Sequence, residues 1–141
     1  MNKFIQALAR HEAAKQMVDG LTRDIGVELE KCPVTIKAND YTLSNSERGE
    51  LWDEKTSKHK THLWHAFQTR EPSSCGWGEV GLCEGGVLDA LSEGSEFECA
   101  HCLNAYQLIL HRKEARRELG YARLSIRALG RQALKMVQAD D

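Results

Sequence analysis

Residues 115–136 read ARRELGYARLSIRALGRQALKM, and Ala115, Leu119, Ala122, Ile126, Leu129, Ala133 and Met136 recur in that stretch at alternating steps of four and three. Such spacing draws one apolar line along a helix and keeps it through three heptads. Small and large residues alternate on the line, so a second helix can approach closely. A matching face lies at the other end of the chain, where Ala7, His11, Ala14, Val18, Leu21 and Ile25 share one side of a helix running from Asn2 to about Lys31. Gly20 and Gly26 weaken that segment by about 1 kcal/mol each relative to alanine, so packing rather than propensity must hold it. The expected fold is mostly α, in a single domain over residues 1–141. It comprises an elongated antiparallel pair of long N- and C-terminal helices (2–31 and 99–138), a third helix and an irregular loop region.

At its N-terminal end the long helix begins with Cys99-Ala-His-Cys102. Two thiolates spaced C-x2-C at a helix start can grip one ion, because the turn gathers the sulfurs and the free amides favour negative charge. Cys75 and Cys83, separated by Gly76, Gly78 and Gly81, complete a four-sulfur zinc site in this reading, although C-x7-C is a looser half-site than a second C-x2-C. His65 and His101 are the candidates to replace a cysteine, and Cys32 is left without a role. Residues 73–102 are glycine-rich and apolar-poor, so a metal would supply cohesion that side-chain burial cannot. Trp77, between two glycines, is expected either to cover the metal loop or to be an exposed contact residue.

Between the long helices, Pro33 ends the first, and residues 34–41 read as a short strand or extended connector. Ser44-Asn45-Ser46-Glu47 has capping-box spacing and is expected to open a third helix over 45–69, stopped by Pro72. His59, His62 and His65 fall at threes on that helix, so two of them could share a metal, but no H-E-x-x-H accompanies them. From 73 to 94 a compact irregular loop is expected, with at most a helical turn at 87–91.

The chain of 141 residues carries a formal charge of −2, which hides a segregation: seven acids and no Lys or Arg between Glu71 and Glu98, against eight basic residues and two acids over 103–138. Arg116, Arg123, Arg127, Arg131 and Lys135 make a stripe beside the apolar line, joined by Arg112 and Arg117. It reads either as a surface for an acidic protein or phosphates, or as a solvated flank paired with Glu12, Asp19 and Glu28. No membrane-length apolar run or signal peptide is evident, so a cytoplasmic location is expected, where clustered cysteines serve as metal ligands or reactive thiols rather than disulfides. There is no G-x-S-x-G, P-loop or dinucleotide fingerprint. One catalytic alternative is a dithiol oxidoreductase with Cys99 as nucleophile and Cys102 as resolving thiol, against which stands the acidic, Gly/Ser-rich approach from Ser92 to Glu98.

The stretch from Cys99-Ala-His-Cys102 through Arg112-Lys-Glu-Ala-Arg-Arg117 to Gly130-Arg131 resembles small bacteriophage and prophage accessory proteins, in which a cysteine pair heads a basic C-terminal helix. The resemblance covers about a third of the chain. It implies a non-catalytic, zinc-stabilised factor that binds and modulates a host protein or nucleic-acid-bound complex. Non-specific nucleic-acid binding through the C-terminal helix is the other alternative, and the helix seam could close within one chain or in a homodimer.

Overall fold

The amphipathic segment at the start of the chain forms α1 (Lys3–Glu30), and the face read from the sequence is the one that packs. Ala7 and Ile25 are buried, and His11, Ala14, Val18 and Leu21 between them are half-buried. The structure is a computed structural model that describes residues 2–140. The remaining elements are α2 (Pro33–Ala38), α3 (Asn45–Glu50), a hairpin of β1 (Trp52–Asp53) and β2 (Lys58–His59), and α4 (His62–Gln68). A second hairpin of β3 (Arg70–Pro72) and β4 (Glu79–Gly81) follows, then α5 (Glu84–Leu91) and the 41-residue α6 (Ala100–Asp140). The long helices α1 and α6 pack together. No helix among the described residues is long and apolar enough to cross a membrane.

Two compact units divide the chain, Met1–Arg23 with Leu108–Asp141, and Asp24–Gln107. The charge divides with them: the first holds twelve Lys and Arg against six Asp and Glu, a formal +6, which leaves −8 for the second. In the first unit α1 and α6 run antiparallel, with Arg10 Nη2 3.8 Å from Glu118 Oε2, and Arg112 Nη1 donating to Thr22 Oγ1 at 3.3 Å. Both partners of the ion pair are largely exposed, so it orients more than it stabilises. Cohesion comes from the seam, where Ala115, Leu119 and Ala122 are buried. The Arg10–Glu118 register places Lys3 level with about residue 125, at 1.5 Å per residue on both helices. Seam burial fades there, with Ile126 and Leu129 half-buried and Ala133 and Met136 exposed.

The second unit departs from the sequence reading in three places. Residues 34–38 are helical, not extended: Pro33 is the first residue of α2, where its fixed φ suits the helix and its missing N–H costs nothing. The single helix expected over 45–69 is two short ones around a hairpin. Ser44 Oγ does cap α3 by accepting from Glu47 N–H, 3.1 Å, but Asp53 Oδ1 then accepts from Lys55 N–H and Ser57 takes a positive φ of 53°, turning the chain. Antiparallel pairing of Trp52 with His59 and Asp53 with Lys58 follows, and Thr61 Oγ1 caps α4 by accepting from Trp64 N–H. Within the expected irregular loop, Gly76 and Gly78 at φ 81° and 70° close the β3–β4 hairpin, a conformation other residues resist, and in place of at most a turn at 87–91 the full helix α5 forms, its start capped by Cys83. The core of this unit gathers Ile25, Leu63, Ala66, Val87, Leu91, Ala105 and Tyr106 around three buried cysteines.

Candidate metal centre

Cys32, His62, Cys99 and Cys102 come together from three distant parts of the second unit, with one ligand atom of each lying within 4.8 Å of all the others. A tetrahedral zinc with Zn–S near 2.3 Å and Zn–N near 2.05 Å places its ligand atoms about 3.5–3.8 Å apart, so the cluster needs only slight contraction to close on an ion. Cys32 Sγ and His62 Nδ1 are already 3.2 Å apart. Cys32 and Cys102 are fully buried, Cys99 is 6 % exposed and His62 is half-buried.

Each ligand stands at the start of a helix, and that placement is local in origin. Cys32 is the N-cap of the helix that Pro33 begins, His62 follows the Thr61 cap of α4, and Cys99 precedes α6 and accepts from Cys102 N–H at 3.4 Å. Free amides at these starts point at sulfur. The thiol of Cys102 donates to Cys32, outweighing desolvation, and the backbone N–H groups of His62 and Val34 add to it, so that the Cys32 thiol is held well below its ordinary value. The same hydrogen bond and burial push the Cys102 thiol upward, although Leu63 N–H donates to its sulfur. Two buried thiolates this close repel one another; a divalent cation would displace the remaining protons and let them coexist.

The expected pair Cys99 and Cys102 belongs to this group, whereas Cys75 and Cys83 do not. Both are exposed: Cys75 sits in the hairpin turn with Ser73 Oγ 3.0 Å from its sulfur, and Cys83 caps α5 by accepting from Gly86 N–H at 3.3 Å. The hairpin and the cap use these thiols locally, and Cys32 and His62 stand in the places assigned to them. Of the histidine trio only His62 reaches the cysteines: the β1–β2 hairpin takes His59 off the helix, and His65, still on α4 with His62, turns to Phe97 instead. His59 meets Trp52 edge-on, and His65 stacks on Phe97 at 5.7 Å, where desolvation first and nearby positive charge second lower its pKa. His101 lies outside the group, its Nδ1 3.1 Å from Glu28 Oε2. Trp77 is 86 % exposed and covers nothing. Cys32 and His62 had no local signature, since the spacings 32 to 62 and 62 to 99 exceed any short motif; the Cys32-Pro33 helix start was the one available hint.

The binding residues assigned from sequence, Arg116, Arg123, Arg127, Arg131 and Lys135, are all exposed. Among the described residues none forms an ion pair, and Glu28 is engaged by Lys31 and His101 instead. No family model, curated protein or solved structure matches the chain.

Proposed function

We propose that this chain is a non-catalytic, zinc-stabilised binding protein that engages an anionic surface through α6. The observation that carries the reading is the closed donor set: three buried thiols and a half-buried imidazole, gathered from three helix starts, would fill all four positions of a tetrahedral ion. Structural zinc sites have that composition, whereas catalytic ones keep a position open. Thiolates with an imidazole also favour zinc over magnesium or calcium, which prefer oxygen. Burial of Cys99 and Cys102 speaks against the dithiol oxidoreductase, whose nucleophile must meet its substrate. For the binding role, support comes from Arg116, Arg123, Arg127, Arg131 and Lys135, which form no ion pair among the described residues. The phage-accessory resemblance of residues 99–131 adds the expectation that the partner is a host protein or a nucleic-acid-bound complex.

Metal analysis with thiol titration tests this reading. Native protein should carry one zinc per chain and expose only Cys75 and Cys83 to a thiol reagent until chelator is added. Metal-free protein with a reactive, reversibly cycling Cys99–Cys102 pair would instead establish the oxidoreductase.

A further inference from the structure

On the side of α6 turned away from its seam, Tyr121 and Leu124 are 53 % and 61 % exposed, and a shallow hollow beside them is lined by Arg117, Gly120, Tyr121, Arg123, Leu124 and Arg127. Gly120 makes the hollow. It sits in mid-helix with an ordinary φ, and apart from its own helix backbone and chain neighbours nothing lies within 4 Å of the position a Cβ would occupy, so packing within the chain gives no reason for a residue that weakens helices. Around it stand Tyr121 and Leu124 with the side chains of Arg117, Arg123 and Arg127, and tyrosine and arginine are the residue types that dominate interface centres. Residues 119–139 contain Arg123, Arg127, Arg131 and Lys135 and no acid.

We infer that this hollow docks an acidic amphipathic helix of a partner protein, which inserts an apolar side chain over Gly120, against Tyr121 and Leu124, and sets flanking carboxylates on Arg123 and Arg127, while Arg117 at the rim is paired with Glu114 at 3.2 Å. The inference rests on the binding role proposed above and names its partner's chemistry. Charge complementarity requires an anion, and two further observations choose a peptide over a nucleic-acid duplex. Exposed Tyr121 and Leu124 beside the hollow call for an apolar partner group, which a phosphate backbone lacks. The whole chain is also net negative, with −8 on the second unit, which repels an extended polyanion more than a short segment acting within a Debye length of about 8 Å. A second copy presenting the same basic face is disfavoured by like charge.

The test uses full-length chain whose zinc content and circular dichroism are measured on the same sample. The probe is a fluorescent synthetic helix of about four heptads with leucine along one face and glutamate beside it, a design that disfavours self-pairing. Binding should weaken as salt rises, and a peptide with lysine for glutamate should not bind. Gly120→Leu fills the hollow without strain, so the variant should fold at least as well as the parent yet lose about tenfold or more in affinity; Arg123→Glu with Arg127→Glu should lose as much and gain the lysine peptide. Failure of folded, zinc-loaded chain to bind the glutamate peptide overturns the inference, as does unchanged affinity in Gly120→Leu. Tighter binding of a DNA duplex with a linear log–log salt dependence, or sedimentation as a dimer through this face, overturns it too. Absence of zinc from the purified chain strikes instead at the function proposed above, whatever the peptide does.

Discussion

Replacing Cys32 by serine removes the one ligand that ties the end of α1 to the starts of α4 and α6. Its expected effect follows from how little else holds the second unit. The large aliphatic side chains buried there are Ile25, Leu63, Val87 and Leu91. At about 1.5–3 kcal/mol each, they contribute roughly 6–12 kcal/mol together. Structural zinc in small sites contributes about 10–16 kcal/mol in apparent terms, which is comparable to that sum or larger. Cys32→Ser should therefore lose zinc as measured by mass spectrometry of the metal, and hydrogen exchange should accelerate across 32–38, 61–68 and 84–105. The buried seam of Ala7, Ala115, Leu119 and Ala122 should keep its protection, because it packs without the metal. Cys75→Ser and Cys83→Ser serve as the decisive controls, being cysteine losses outside the cluster, and both should keep zinc and protection. Retention of zinc by Cys32→Ser, or its loss from Cys75→Ser, would refute the ligand set.

Further outcomes follow from the same geometry. Leu119→Ala, at a position only 8 % exposed, should cost about 2–5 kcal/mol in chemical denaturation, whereas Met136→Ala on the same heptad line, 70 % exposed, should cost far less. Gly130→Ala should raise stability by up to about 1 kcal/mol, since open space surrounds its Cβ position and alanine favours helix. The β1–β2 hairpin should also respond to acid. Against desolvation, which acts upward, the Trp64 indole N–H at 3.1 Å and donors from Thr56 and Lys55 hold the Asp53 carboxyl below its usual value. Since that folded pKa is depressed, the stabilisation is present above the ordinary carboxylate range and is lost as pH falls through the lowered value. The Trp64 indole N–H resonance should stay fixed through the ordinary carboxylate range and move only in more acidic solution, and Asp53→Asn should abolish the movement.

The four-three spacing of Ala115 to Met136 and of Ala7 to Ile25 settled the two long helices from sequence alone, because helical period and side-chain polarity are local properties written into neighbouring residues. Cys99 and Cys102 were legible for the same reason: two ligands on one helix turn need no tertiary information. The helix starts at Ser44 and Cys99 were visible as well, but the break after Glu50 was not, since it turns on Asp53 capping a turn and on Ser57 adopting a positive φ, each favoured only once Trp64 anchors the hairpin. How far the seam stays buried along α6 was decided by the antiparallel register of α1, which composition does not encode. The other two metal ligands belong wholly to tertiary structure. Cys32 and His62 are 30 residues apart and farther still from Cys99, and what joins them is the convergence of three helix starts on one buried point. Cys75 and Cys83, nearer in sequence, are held away by a hairpin turn and a helix cap that satisfy them where they stand.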